Sequence, residues 1–164
     1  MSLRKTCFGA ILRDDTQVVV LGSLPGERSL AERRYYAHPR NRFWHLMGTV
    51  IDIDLASLEY PDRLEALLGA GVGLWDAVAS ARRNGSLDAS IREADHNPLV
   101  RLADNLPSLR AVGFNGRTAQ KIGAPQLAGA GIALVPLPSS SPAHAAMSLA
   151  AKERQWGELR KYLR

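Results

Sequence analysis

The sequence predicts a three-layer α/β/α sandwich around a short, mostly parallel sheet of four strands. Three observations carry this prediction. Four apolar runs are each only a few residues long and rich in β-branched or aromatic side chains. They lack regular polar alternation, as strands buried on both faces do. Segments of helical period lie between them, so strand and helix alternate along the chain.

The first strand is "QVVVLGS" (17–23), and "RNRFWHLMGTVI" (40–51) reads as a helix after it. "YPDRLEALLGAG" (60–71) is the next helix and leads into a second strand, "GVGLWD" (71–76). In "NPLVRLADNLP" (97–107) Asn97 reads as an N-cap, with Pro98 at the first helical position, where a missing N–H is no loss. The third strand is "RAVGFNG" (110–116), followed by the helix "GRTAQKIGA" (116–124) and a fourth strand, "IALVPLPS" (132–139). The tail "AMSLAAKERQWGELRKYL" (146–163) has helical periodicity that turns Leu149, Trp156 and Leu159 inward. No repeat, low-complexity tract or linker interrupts the pattern. A chain of 164 residues suits one domain, 1–164, with a single substantial core.

Composition excludes several classes. No apolar run approaches the roughly 18 residues of a membrane span, and no N-terminal apolar segment suggests export. A soluble, cytoplasmic protein is expected. One cysteine, Cys7, leaves no internal disulfide and no iron–sulfur cluster. His38, His45, His96 and His144 show no metal-ligand spacing, so neither metal nor cofactor is expected. Lys and Arg outnumber Asp and Glu by 21 to 16. Arg28, Arg33, Arg34, Arg40 and Arg42 crowd one stretch with Tyr35, Tyr36, Phe43 and Trp44. Guanidinium groups pair with phosphates and aromatic rings stack on bases, so this mixture suits a nucleic-acid surface. A solvated arginine loop beside a helix with core aromatics would look the same.

In such folds ligands bind beyond the carboxyl ends of the strands. Those ends are GSLPG, LWDA, FNG and LPSSSP, and they are predicted to form one site. "GSLPGERSL" (22–30) lacks the lysine of a phosphate loop and the spacing G-x-G-x-x-G. Ser23 has no G-x-S-x-G elbow, and Asp76 and Asp88 show no recognisable glycosidase pairing.

The segments "LGSLPGERSLAERRYYAHPRNRFWHLMG", "GLWDAV", "GSLDASI", "FNGRTA" and "LPSSSPAHA", in that order, resemble the uracil-DNA glycosylase superfamily. They are most similar to its hypoxanthine-DNA (deoxyinosine) glycosylase branch. The resemblance covers nearly the whole chain and agrees with the fold read from the pattern. It implies a DNA glycosylase that removes a deaminated base, hypoxanthine first and uracil second, in base excision repair. DNA is then the partner, the protein acts as a monomer, and no metal or cofactor is needed. The absence of a lysine in a Schiff-base motif makes the enzyme monofunctional.

Several branches carry Asp or Asn at the third position of the G-x-x-P loop, where it handles the attacking water. Leu24 stands there and has no polar atom. In the hypoxanthine branch the catalytic amide belongs to the A-H-P-R-N motif, here Asn41. The resemblance further implies that Tyr36 stacks on the base while Gly22, Ser23 and Asn115 bind it. Arg40, Ser139, Ser140, Ser141 and His144 would contact the DNA strand. Ser139 and Ala143 fall where other branches place a polar base contact and a bulky wedge. Alanine cannot fill a vacated base stack, so mismatched, damaged or single-stranded substrates are expected to be preferred.

Position alone allows plainer roles. Asn41 is a natural helix cap, Tyr36 a core or rim tyrosine, Asn115 a turn residue before glycine, and His38 a loop brace. Two other functions stay open at this point. One is a non-catalytic binder of damaged DNA, because Leu24 and Ala143 are inert. The other is a hydrolase of free nucleosides on the same scaffold.

Overall fold

The structure is a computed structural model that describes residues 3–164. Its strands are β1 (Arg4–Thr6), β2 (Val18–Gly22), β3 (Val72–Asp76), β4 (Val78–Arg82), β5 (Arg92–His96), β6 (Ala111–Asn115) and β7 (Ala133–Leu137). Its helices are α1 (Glu27–Glu32), α2 (Phe43–Ile51), α3 (Tyr60–Gly69), α4 (Leu99–Asp104), α5 (Arg117–Leu127) and α6 (Leu149–Trp156). The main sheet is wholly parallel, in the order β3-β2-β6-β7.

Every residue of β2 is buried, because its two faces feed two cores. Val18 and Val20 point into a layer with Phe43, Leu46 and Met47 of α2, Leu67 of α3 and Trp156 of α6. Val19 and Leu21 point the other way, onto Leu99 and Leu102 of α4 and Ala119 and Leu127 of α5. The period-2 alternation of a strand thus sorts four consecutive apolar residues between two helical layers. Each such side chain contributes roughly 1.5–3 kcal/mol on burial. This is the expected α/β/α sandwich.

A second sheet was not expected. β1, β4 and β5 form a three-stranded antiparallel sheet in the order β1-β4-β5. β5 reads "READH" and is largely exposed, so it carries no apolar run to mark it. β1 is only three residues long, and the β4–β5 register is broken at two places. Asn97 also departs from expectation. Pro98 is the N-cap of α4, and the Asn97 amide donates instead to the Asp76 main-chain carbonyl (2.6 Å) and to Cys7 Sγ (3.4 Å). A buried amide must be satisfied, and here the nearest acceptors are on β3 and after β1. At the C-terminal end Ser148 caps α6 through the Ala151 N–H, and Trp156 and Leu159 are fully buried as predicted.

Strand register places Gly22 beside Asp76 and Asn115 beside Leu137. All four carboxyl ends of the main sheet therefore open onto one edge.

Candidate active site

A cavity of about 310 Å³ lies at that edge. Its walls come from residues 22–26 after β2, from Tyr35, Tyr36, His38 and Asn41 before α2, from Asp76, from 86–88, from Asn115, and from 139–144. Of the site residues that the resemblance implied, only Arg40 is outside the lining; its side chain is exposed and its N–H donates to His38 Nδ1 (3.1 Å). His38 thus braces the turn into Asn41. Tyr35, Phe43 and Trp44, offered with the arginines as a nucleic-acid surface, are instead core residues.

The backbone of the loop after β2 is fixed by its carbonyls. Those of Gly22 and Ser23 accept from the N–H groups of Ala77 (2.8 Å) and Val78 (3.0 Å). Those of Leu24 and Pro25 accept from Arg83 Nη1 (3.1 Å) and Nη2 (2.6 Å). In a trans peptide the N–H points opposite to the C=O, so the amides of Ser23, Leu24 and Gly26 face away from these partners. Leu24 is buried against Val78 and Ala81, which gives the apolar centre of the loop a job as an anchor. The Ser23 hydroxyl donates to Asp88 (2.8 Å to either carboxylate oxygen). Arg83 is itself almost fully buried and also donates to Gly85 O (2.9 Å).

Tyr36 is held in the left-handed region, with φ of 54°. A non-glycine residue there stores strain on the order of 1–3 kcal/mol. The Trp44 indole N–H donates to its carbonyl (3.2 Å), and its ring stacks on Phe43 at 3.9 Å between centroids. One ring face is therefore taken, and only the other is open to a ligand. One residue before Arg42, the N-cap of α2, Asn41 lines the wall. Its Oδ1 accepts from the Phe43 N–H (2.9 Å) at the start of α2, which fixes the amide while leaving the second lone pair of the oxygen available.

Asn115 and Ser140 hold each other at the opposite wall. Asn115 Nδ2 donates to Ser140 Oγ (2.9 Å), and the Ser140 N–H donates to Asn115 Oδ1 (2.9 Å). The Ser140 carbonyl accepts from the Arg42 N–H (3.0 Å), which joins this loop to the start of α2. Lys152 on α6 finishes the arrangement. Its buried ammonium donates to the carbonyls of Ser139 (2.8 Å) and His144 (2.7 Å). Burial, and then the Arg42 charge, pull its pKa below the ordinary lysine value.

In the sequence Asp76 stands out only as a strand-end carboxylate without a recognisable glycosidase partner. The structure puts its carboxyl, 3 % exposed, in the cavity wall. Burial first, and the Asp88 charge second, push its pKa up to about 7, against the pull of Arg83. Among the described residues, the buried side-chain polar atoms without a hydrogen-bond partner are Tyr36 Oη, Asp76 Oδ2 and His144 Nδ1. All three belong to residues of this one cavity. Buried polar atoms are rarely left unpaired in native proteins, and a concentration of them in one concave site marks a place built for a polar ligand. Arg83 and Lys152 had no motif to announce them, since each acts through contacts to main-chain carbonyls.

Comparison with known proteins agrees with this geometry. The model of the uracil DNA glycosylase superfamily matches residues 10–163. A hypoxanthine DNA glycosylase from Methanosarcina barkeri (strain Fusaro / DSM 804) is 37 % identical over 156 residues, covering 95 % of this chain and 98 % of the relative. Another from Methanosarcina acetivorans is 37 % identical over 152 residues, covering 93 % and 95 %. The NMR structure of a candidate uracil DNA glycosylase from M. acetivorans superposes with a TM-score of 0.88 at 35 % identity, covering 98 % of this chain and 99 % of that one. Fold, strand-end cavity and sequence agree: the chain belongs to the uracil DNA glycosylase superfamily.

Proposed function

We propose that this protein is a monofunctional DNA glycosylase that hydrolyses the N-glycosidic bond of a deaminated base, hypoxanthine foremost. The observation that carries the reading is the gathering of Asn41 and three unpartnered polar atoms in one cavity at the sheet edge. The two Methanosarcina relatives named hypoxanthine DNA glycosylase support the choice of base. Among the described residues no lysine lines the cavity, in keeping with hydrolysis rather than Schiff-base chemistry.

In this reading the flipped nucleotide enters over the 139–144 loop, whose hydroxyls and amides meet the phosphates without reading sequence. The base lies against the open face of Tyr36, between the amides after β2 and the remaining N–H of Asn115. As the bond breaks, positive charge grows on the sugar and negative charge on the base. Fixed donors near the base stabilise that charge because they need no reorganisation. Asn41 has no proton to take or give, but its fixed carbonyl accepts from a water and holds it beneath the reacting carbon. The enzyme acts as a monomer in the cytoplasm.

Leu24 no longer favours a non-catalytic binder, since its burial against Val78 and Ala81 gives it a structural role. The deciding experiment is an excision panel of hypoxanthine, uracil and xanthine, in single strands and opposite each base. Wild type is expected to release hypoxanthine fastest, and Asn41→Ala to bind the same DNA without releasing base. Wild-type excision by Asn41→Ala overturns the assignment of that residue. Binding by the wild type with no free base from any lesion overturns the enzymatic reading.

A further inference from the structure

We propose that Asp76 is a catalytic acid of this cavity, donating a proton to an acceptor atom of the base as the glycosidic bond breaks. The proposal rests on the base-release reading above. It goes beyond it by assigning the group that neutralises the leaving base.

Geometry isolates this carboxyl. It ends β3 at the inner wall of the cavity, and its main-chain carbonyl is pinned by the Asn97 amide. Its Oδ2 is buried with no partner, and no ion pair reaches it among the described residues. The neighbouring backbone is bare: a Cβ on Gly22 would stand 2.6 Å from Asp76 Oδ1. Glycine there leaves the carboxyl its place beside the ligand space.

The surroundings also keep the proton on it. From the segment after β4 it faces Asp88, a like charge occupied by Ser23, and Arg83, whose guanidinium is directed at loop carbonyls. From the segment before α2 it faces Tyr35 and Tyr36, and from the segment after β1 it faces Cys7. Burial raises the pKa of all three of these groups, so they stay neutral near pH 7 and offer Asp76 no charge partner. Asp76 therefore keeps its proton up to the neutral range and gives it up around pH 7.

The step balances as follows. The sugar–base bond breaks with its electron pair going to the base. A ring nitrogen or carbonyl oxygen of the base takes the proton from Asp76 Oδ2, which becomes carboxylate. Water held by Asn41 adds its oxygen to the sugar carbon and releases a proton to solvent. Asp76 regains a proton from solvent before the next turnover. One water is consumed, and a neutral base and an abasic sugar are formed.

The test is single-turnover excision of hypoxanthine from an oligonucleotide between pH 5.5 and 9, as roughly brackets a catalytic acid near neutrality. Wild type, Asp76→Asn and, as comparator, His144→Gln are measured. The same proteins are run on a 7-methylated purine, whose ring already carries the positive charge a proton would bring. Wild-type excision of hypoxanthine is expected to fall with a one-proton slope above about pH 7. Asp76→Asn should lose roughly 10²-fold or more, as acid catalysis does, with a flat profile. On the methylated base its deficit should shrink by at least roughly tenfold, because protonation is no longer required. Equal deficits on the two bases, or a wild-type rate in Asp76→Asn, overturn the proposal. So does loss of the pH slope in His144→Gln with the slope kept in Asp76→Asn. If Asp76→Asn does not fold, the wild-type profile decides: a flat one overturns this proposal alone. A wild type that releases no hypoxanthine removes the base-release reading beneath it.

Discussion

Gly22 and Asp76 sit side by side on β2 and β3, so close that a methyl on the glycine would lie 2.6 Å from Asp76 Oδ1 and 3.1 Å from Tyr36 Oη. Space, rather than a backbone angle, demands glycine there. Gly22→Ala must move the carboxyl or the phenol, and both belong to the cavity. Overpacking of this kind costs about 1–3 kcal/mol. Thermal melting should show that loss, and single-turnover assays should show excision lowered by at least roughly tenfold, the effect of one misplaced reacting group.

Asn41 bonds the Phe43 N–H and lines the cavity, two features that substitution can separate. Asn41→Ala removes both the acceptor of the Phe43 N–H at the start of α2 and the carbonyl in the cavity. It should lose about 1 kcal/mol of stability along with excision. Asn41→Ser keeps an acceptor oxygen on a shorter side chain. Denaturation of the serine variant should match wild type to within about 0.5 kcal/mol, while base release stays abolished. Activity that tracks stability across the pair would mean the amide matters only as that acceptor.

Lys152 fastens the 139–144 loop through two carbonyls. Lys152→Met preserves the length and apolar stem but leaves both acceptors without a donor. Oligonucleotide affinity should fall about tenfold, the equivalent of one or two lost charge-assisted hydrogen bonds. The rate from saturated complex should change much less, because no atom of Lys152 lines the cavity. Titrations with a non-cleavable substrate and single-turnover rates at saturation separate the two.

Asp76 also predicts the pH dependence of folding. In the unfolded chain its carboxyl releases its proton near pH 3.9, about the ordinary value. In the folded chain the proton stays until about pH 7. Between these values the folded state holds more protons, so the Asp76 contribution to stability declines as pH rises and levels off above 7. Asp76→Asn has no such decline. The stability of the variant relative to wild type should therefore climb from pH 4 to 7, by at most roughly 1.4 kcal/mol per pH unit. Urea denaturation across that range checks it, and parallel curves would contradict it.

The sandwich was legible because β2, β3 and β6 are near-continuous apolar runs at the end of which glycine or a polar residue stands. β7 was found the same way, although Pro136 interrupts it. β5 was invisible since an exposed strand of charged residues has no hydrophobic signature. Asn41, Tyr36 and the serines of 139–141 were found through their motifs. Asn41 reads from sequence as either cap or catalyst; the cap position falls to Arg42, while the Asn41 carbonyl takes the Phe43 N–H and lines the cavity. Arg83 and Lys152 were missed because their partners are main-chain carbonyls, and no residue type in the sequence marks such a carbonyl. Asp76 is visible in the sequence but inconspicuous there: what makes it unusual is a buried Oδ2 without a partner, a property of the folded surroundings.

The clamp on the 139–144 loop has a consequence for synthesis. Every wall of the cavity precedes α6 in the chain, yet Lys152 of α6 holds the last wall in place. Chains emerge N-terminal end first, so the growing polypeptide carries all the walls before it carries the fastener. The last wall of the cavity is therefore clamped only once α6 has been made and docked.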